Sequence, residues 1–213
     1  MATHEVANQV PPRVDVDEFD AGVALREGVE RYDAAWSEDR LHEIGRHVGT
    51  AAFQHDAEVA NTQTPQLHQY DRSGHRIDEV EYDESYHRVI GAAIAHGAHS
   101  SAWQHPMPGA EVARAAAFML FAQVEPGHAC PVSMTHAAVP SIRRNDALAK
   151  EWVPRLLSTV YDPALTPGKR SAIFGMAMTE KQGGSDVRAN TTQAVPAHAG
   201  YGEGAYVLTG HKW

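Results

Sequence analysis

Between residues 20 and 166 apolar side chains recur at helical spacing, with polar residues filling the positions between them. Leu41, Ile44, Val48, Ala52 and Val59 share one helical face, which predicts a single helix opening after Ser37. Upstream, Asp20 is read as the N-cap of a helix reaching about Trp36. Tyr86, Val89, Ile90, Ala93, Ile94 and Gly97 mark a third helix. Ala110 to Val124 form a fourth, strongly apolar and including Phe118-Met-Leu-Phe121, hence expected at the centre of the core and too short to cross a bilayer. Pro131 to Asn145 read as a helix kinked or ended near Pro140, and Leu148 to Leu157 as a short one finishing near Pro154. Asn61 to Glu81, with Pro65 and the turn Asp71-Arg-Ser-Gly74, is expected to be a polar connection. Residues 1–19, with Pro11-Pro12 and no period, read as an arm.

After about residue 166 the pattern changes to short apolar runs. Ser171–Thr179, Asn190–Val195 and Ala205–Thr209 predict three strands, the last two joined by the glycine-rich loop Pro196–Gly204. The expected fold class is therefore α+β: an arm over 1–19, an all-helical domain over 20–166, and an antiparallel β domain that has only begun over 167–213. Strand edges left unpaired at Trp213 suggest a fragment of a longer protein. The 213 residues can bury a core, and 43% hydrophobic content excludes a disordered chain. With 18 basic against 27 acidic residues and a net charge of -9, this stretch lacks the basic footprint of a nucleic-acid binder. A lone Cys130 excludes an internal disulfide, and neither a leader nor a long apolar run is visible, so a cytoplasmic protein with no membrane partner is expected.

The stretch with most chemical content is Met176-Ala-Met-Thr-Glu-Lys-Gln-Gly-Gly-Ser-Asp186. Glycines admit a ligand close to the backbone, free N–H groups there can cradle phosphate oxygens, and Ser185 adds a hydroxyl donor. A plain turn between strands accounts for Gly183-Gly184-Ser185 equally well, and spacing alone leaves both readings open. Elsewhere the signals are weaker. His128, Cys130 and His136 lack the spacing of a zinc set, so no metal site is expected. Cys130 reads as a small apolar residue rather than a nucleophile. Gly200-x-Gly-x-Gly204 precedes no helix and is read as loop. Glu125 and Glu180 are read as capping or solvated carboxylates.

The eleven-residue stretch, followed by Gly210-His-Lys-Trp213, closely resembles the flavin-binding segment of acyl-CoA dehydrogenases. Its Lys-Gln-Gly variant is similar to the AidB-like, adaptive-response subgroup. So are Asn8-Gln-x-Pro-Pro12, Arg114 to Glu125, Cys130-Pro-Val-Ser-Met-Thr135 and Asn190-Thr-Thr192. The resemblance implies a helical N-terminal domain, a middle β domain and a C-terminal helical bundle, the last missing from this chain. It implies FAD as cofactor, with Met176, Met178 and Thr179 at the flavin ring, Gly184 and Ser185 at the pyrophosphate, and Trp213 beside the isoalloxazine. Ser185 is also implied at the acyl-CoA substrate. The family's catalytic glutamate would lie beyond Trp213, so no residue is assigned that role here. The implied activity of the intact protein is α,β-oxidation of an acyl-CoA with hydride transfer to FAD, in a homotetramer. These residues alone are expected to be inactive. The alternative is a non-catalytic FAD protein protecting against alkylation damage, its dehydrogenase activity vestigial. In that subgroup, double-stranded DNA is a partner through the C-terminal domain.

Overall fold

The computed structural model describes residues 3–198 and 204–213. Residues 199–203, the greater part of the predicted glycine-rich loop, lie outside the described residues, as do residues 1 and 2. The chain divides into two compact units, Met1–Phe174 and Gly175–Trp213.

The first unit is mainly helical. Asp17, not Asp20, opens the first helix, α1 (Glu18–Ala21), its carboxylate accepting from the Phe19 and Asp20 N–H groups. Gly22 interrupts the predicted long helix, which resumes as α2 (Val23–Arg31). Burial alone would raise the Asp17 carboxyl, but hydrogen bonds from His42 and from the Asp20 and Phe19 N–H groups outweigh it and hold it below the ordinary aspartate value. Asp17→Ala is accordingly expected to lose about 1–2 kcal/mol in urea unfolding at pH 7. A depressed folded-state value makes this contribution complete above the unfolded aspartate pKa of about 3.9 and lost as pH falls through the lower folded one. The gap between variant and parent should thus narrow only in acid.

The predicted helix after Ser37 is two helices, α3 (Glu38–Val48) and α4 (Ala51–Thr62). The break has a tertiary cause. The N-terminal arm crosses at Gly49, where the Asp15 N–H donates to the Gly49 carbonyl at 2.6 Å and the Val16 carbonyl occupies the space a Cβ would need. Thr50 then caps α4 through a 3.2 Å bond from the Phe53 N–H.

The expectation of an all-helical first domain is corrected between α4 and the next helix. Residues read as a polar connection form an antiparallel hairpin, β1 (Gln66–Tyr70) and β2 (Arg76–Glu81), with Leu67 opposite Val80 and His68 opposite Glu79. The predicted turn closes it, Asp71 accepting from the Ser73 and His75 N–H groups. Then follow α5 (Glu84–Ala95), α6 (Ser101–Gln104), α7 (Ala110–Ala122), α8 (Ala129–Ile142, with Pro140 inside) and α9 (Asp146–Leu156). α7 is the central helix, packing on α2, α3, α6 and α8, with Leu120 and Phe121 fully buried against Ile44, Val89 and Val132. Among the described residues no helix is long and apolar enough to cross a membrane.

Ser171–Thr179 carries no strand, contrary to its apolar pattern. Its first half belongs to the helical unit: Phe174 N–H donates to the Thr135 hydroxyl at 3.0 Å, and its ring meets Trp152 at 5.5 Å. Thus residues 167–174, assigned from sequence to the β domain, pack with the first unit. Among the described residues the second unit holds one antiparallel pair, β3 (Gln193–Pro196) and β4 (Tyr206–Thr209), in register from Gln193 opposite Thr209 to Pro196 opposite Tyr206.

Candidate functional site

In the second unit three stretches that are separate in sequence meet at one carboxylate. Glu180 is 1% exposed. Its Oε2 accepts from the Thr191 N–H at 2.8 Å, the Thr191 hydroxyl at 3.1 Å and Gln182 Nε2 at 2.6 Å. Its Oε1 accepts from the Thr192 N–H at 3.0 Å and from Lys212 Nζ at 2.9 Å. Few atoms beyond these donors surround it, so it is covered by its own partners rather than by a deep core. Hydrogen bonds from Thr192 and Thr191, with Lys212 adding its charge-assisted bond, hold its carboxyl far below the usual range.

This hub fixes the predicted flavin residues. The Trp213 N–H donates to the Thr179 carbonyl at 2.9 Å, so two residues far apart in sequence become neighbours. The Met178 carbonyl accepts from Asn190 Nδ2 at 2.9 Å and Lys212 Nζ at 3.2 Å. Lys181 Nζ stands 5.1 Å over the Trp213 ring. Beyond a one-bridge turn between Glu180 and Gly183, Gly184 lies so close to Thr179 that a Cβ would come within 3.0 Å of its side chain. Gln182, Gly183, Gly184, Ser185, Asp186 and Asn190 line a cleft of about 270 Å³.

A phosphate-bearing flavin cofactor fits these residues on two counts. Among the described residues the N–H groups of Gly184 and Ser185 donate to no protein acceptor, which leaves donors at the cleft. Met176, Met178 and Trp213 are 43%, 56% and 78% exposed, an apolar surface of the kind a ring would cover.

The structure thus brings Met178, Thr179, Gly184 and Trp213 around one hub, puts Ser185 in the adjoining cleft, and leaves Met176 three residues before Thr179 on an irregular segment. Glu180 itself is not solvated as read from sequence. Asn190, Thr191, Thr192 and Lys212 were not singled out for this role, because no periodicity marks donors that converge only in three dimensions.

In the first unit Glu125 is buried in the turn before α8: its carboxylate accepts from the Gly127 N–H at 2.6 Å and the His128 N–H at 2.7 Å, and faces His128 Nδ1 at 2.9 Å. His136 Nδ1 faces the His99 carbonyl and Cys130 is exposed, so the three residues weighed as a zinc set have separate surroundings. Among the described residues no three potential ligands cluster.

The family described as Adaptive response protein AidB N-terminal domain matches residues 8–163. The Escherichia coli (strain K12) protein named "Putative acyl-CoA dehydrogenase AidB" is 43% identical over 215 residues, spanning 99% of this chain and 39% of that protein. "Acyl-CoA dehydrogenase family member 11" of Caenorhabditis elegans is 28% identical over 181 residues, 81% of this chain and 27% of its own length. This chain therefore spans well under half of either relative. Among solved structures, the Bd2924 apo-form superposes with a TM-score of 0.81 at 24% identity, over 95% of this chain and 40% of that one. Caenorhabditis elegans ACDH-11 in complex with C11-CoA superposes with a TM-score of 0.76 at 22% identity, over 100% of this chain and 36% of that one. At these identities the likeness shows the fold.

Proposed function

The chain belongs to the family of AidB N-terminal domains, within the acyl-CoA dehydrogenase-like proteins, and from that premise we propose that it supplies the first part of a flavin site for α,β-oxidation of an acyl-CoA. The observation that carries this reading is the Glu180 hub, which sets Thr179, Trp213 and the Gly184–Ser185 cleft beside one another. Gly184 and Ser185 would hold the pyrophosphate through their N–H groups and the serine hydroxyl. Met176, Met178 and Trp213 would cover the flavin ring, and Thr179 would offer its polar edge a hydroxyl. When bound, FAD supplies the acceptor for the hydride leaving the substrate. The chain's own residues bind, orient and keep water from one face of the cofactor. An acyl-CoA as substrate is supported by the C11-CoA complex of the Caenorhabditis elegans relative, and Ser185 is the residue proposed to touch it.

Thr179→Ala in the intact protein should weaken FAD binding by about 1–3 kcal/mol, followed by quenching of flavin fluorescence. Thr179→Ser, which keeps the hydroxyl, should recover most of the loss. Equal affinities for all three proteins would remove Thr179 from the site.

A further inference from the structure

The Lys181 side chain stands beside the Glu180 hub without joining it. Its Nζ lies over the Trp213 ring, 5.1 Å from the centroid, within reach of a cation–π contact. Among the described residues Lys181 forms no ion pair, so the indole face is the partner of its charge.

Three further contacts of this kind occur among the described residues, Arg114 on Phe118, Arg143 on Trp103 and Arg155 on Trp152. Each of those rings is half-buried and takes its orientation from packing. Trp213 is 78% exposed and has no such support, so at this ring the cation has the larger part in setting orientation.

The backbone on both sides of the contact is held. The Lys181 N–H donates to His211 Nε2 at 3.2 Å, and the Trp213 N–H donates to the Thr179 carbonyl at 2.9 Å. Between them Lys212 Nζ donates to the Met178 carbonyl and to Glu180 Oε1. Residues 178–181 and 211–213 are thus locked side by side, and Lys181 and Trp213 meet across that seam. A fixed backbone still leaves the indole free to turn about χ1 and χ2. An ammonium on one face narrows that freedom and leaves the rest of the ring open.

We propose that Lys181 is a positioning residue whose ammonium holds one face of the Trp213 indole and so orients the ring for the flavin before FAD binds. The proposal rests on the reading of Trp213 as a flavin contact. A ring ordered in advance has less rotational freedom to lose when a cofactor covers it, so the contact contributes to affinity through preorganisation. Its contribution grows as the cofactor displaces water from the pair, because a desolvated cation–π contact is stronger than an exposed one.

Fluorine NMR of the FAD-free intact protein labelled with fluorotryptophan reads the contact directly, the Trp213 resonance being the one lost in Trp213→Phe. Lys181→Met keeps the length of the stem and removes the charge, so that resonance should move toward its position in urea-unfolded protein. Lys181→Arg keeps a cation and should leave it near the parent position. Hydrogen-exchange protection at Thr191 and Thr192 should be unchanged in both, since the Lys181 side chain gives Glu180 no hydrogen bond. FAD affinity, followed by flavin fluorescence quenching, should fall about two- to fivefold in Lys181→Met and recover in Lys181→Arg. Adding Lys181→Met to Trp213→Leu should cause no further loss. A Trp213 resonance unmoved by Lys181→Met, or moved equally by Lys181→Arg, would overturn the proposal. So would lost protection at Thr191 and Thr192, which would make Lys181 a support of the hub. An undiminished effect of Lys181→Met in the Trp213→Leu protein would also overturn it, since Lys181 would then act on the cofactor without the ring. Equal FAD affinity of Trp213→Leu and the parent would instead take down the flavin reading of Trp213, a result distinct from an unmoved resonance in the FAD-free protein.

Discussion

Gly109→Ala is expected to remove about 3–5 kcal/mol of folding stability. Gly109 stands at the N-terminus of the central helix with φ +76°. A left-handed backbone alone penalises an L side chain by about 1–2 kcal/mol. The larger part is steric, because a Cβ there would drive into the Asp33 carbonyl and lie 2.8 Å from the Ala34 nitrogen. Those are backbone atoms of the turn after α2, so neither can swing aside as a flexible side chain would. Relief requires moving that turn off α7, along with the 3.1 Å bond from Trp36 Nε1 to the Pro108 carbonyl. Gly168 is the matched control, with φ +77° and nothing within 4 Å of its Cβ position. Gly168→Ala should therefore lose only the conformational part, about 1–2 kcal/mol. Urea unfolding of both variants decides the matter: equal losses would show that close approach at Asp33 carries no weight.

The same contrast explains what could be read from the chain. α5 and α7 were legible because their buried faces repeat within one helix, so Val89, Ile90, Ala93 and Ile94 declare a stripe without reference to anything else. The break between α3 and α4 was not legible, because Val48 and Ala52 keep the helical period across it and the cause is an arm contributed by Asp15 and Val16. The β1–β2 hairpin was missed for a different reason. Every residue of both strands is exposed, so no alternation of buried and solvated faces was written into them, and only the Asp71–Gly74 turn left a trace. Ser171–Thr179 failed in the opposite direction: its composition suits a strand, but a strand also needs a neighbour, and none pairs with it among the described residues.

The site divides along the same line. Gly183-Gly184-Ser185 was visible because glycine and serine name their own chemistry. Glu180 was passed over because a glutamate beside a turn is usually a solvated one, and its five donors come from positions 182, 191, 192 and 212, with Thr191 giving two. Local pattern finds groups that meet a ligand; it does not find groups that hold those in place.

Glu180→Gln should expose that holding role with little change in shape. A carboxylate accepts at both oxygens, whereas the amide replaces one of them by an NH2 group that can only donate. Whichever way it turns, the amide sets donor against donor, at Thr191 and Gln182 or at Thr192 and Lys212, and the Lys212 charge loses its counterion. The amides of Thr191 and Thr192 are expected to lose hydrogen-exchange protection by about tenfold or more, while amides of α7 in the other unit serve as an unchanged internal reference. The sign with pH follows from the depressed carboxyl. Its stabilisation is complete above the ordinary glutamate value of about 4.3 and lost only as pH falls through the lower folded value. The protection gap between parent and variant should therefore be constant from neutral pH down through mildly acidic solution. FAD affinity of the intact protein should fall further than for Thr179→Ala, since the Thr179–Trp213 pairing loosens together with the turn carrying Gly184 and Ser185. Retained protection at Thr191 and Thr192 would mean that the β3–β4 pair holds these segments without Glu180, and the hub would then be a consequence of the site's architecture rather than its cause.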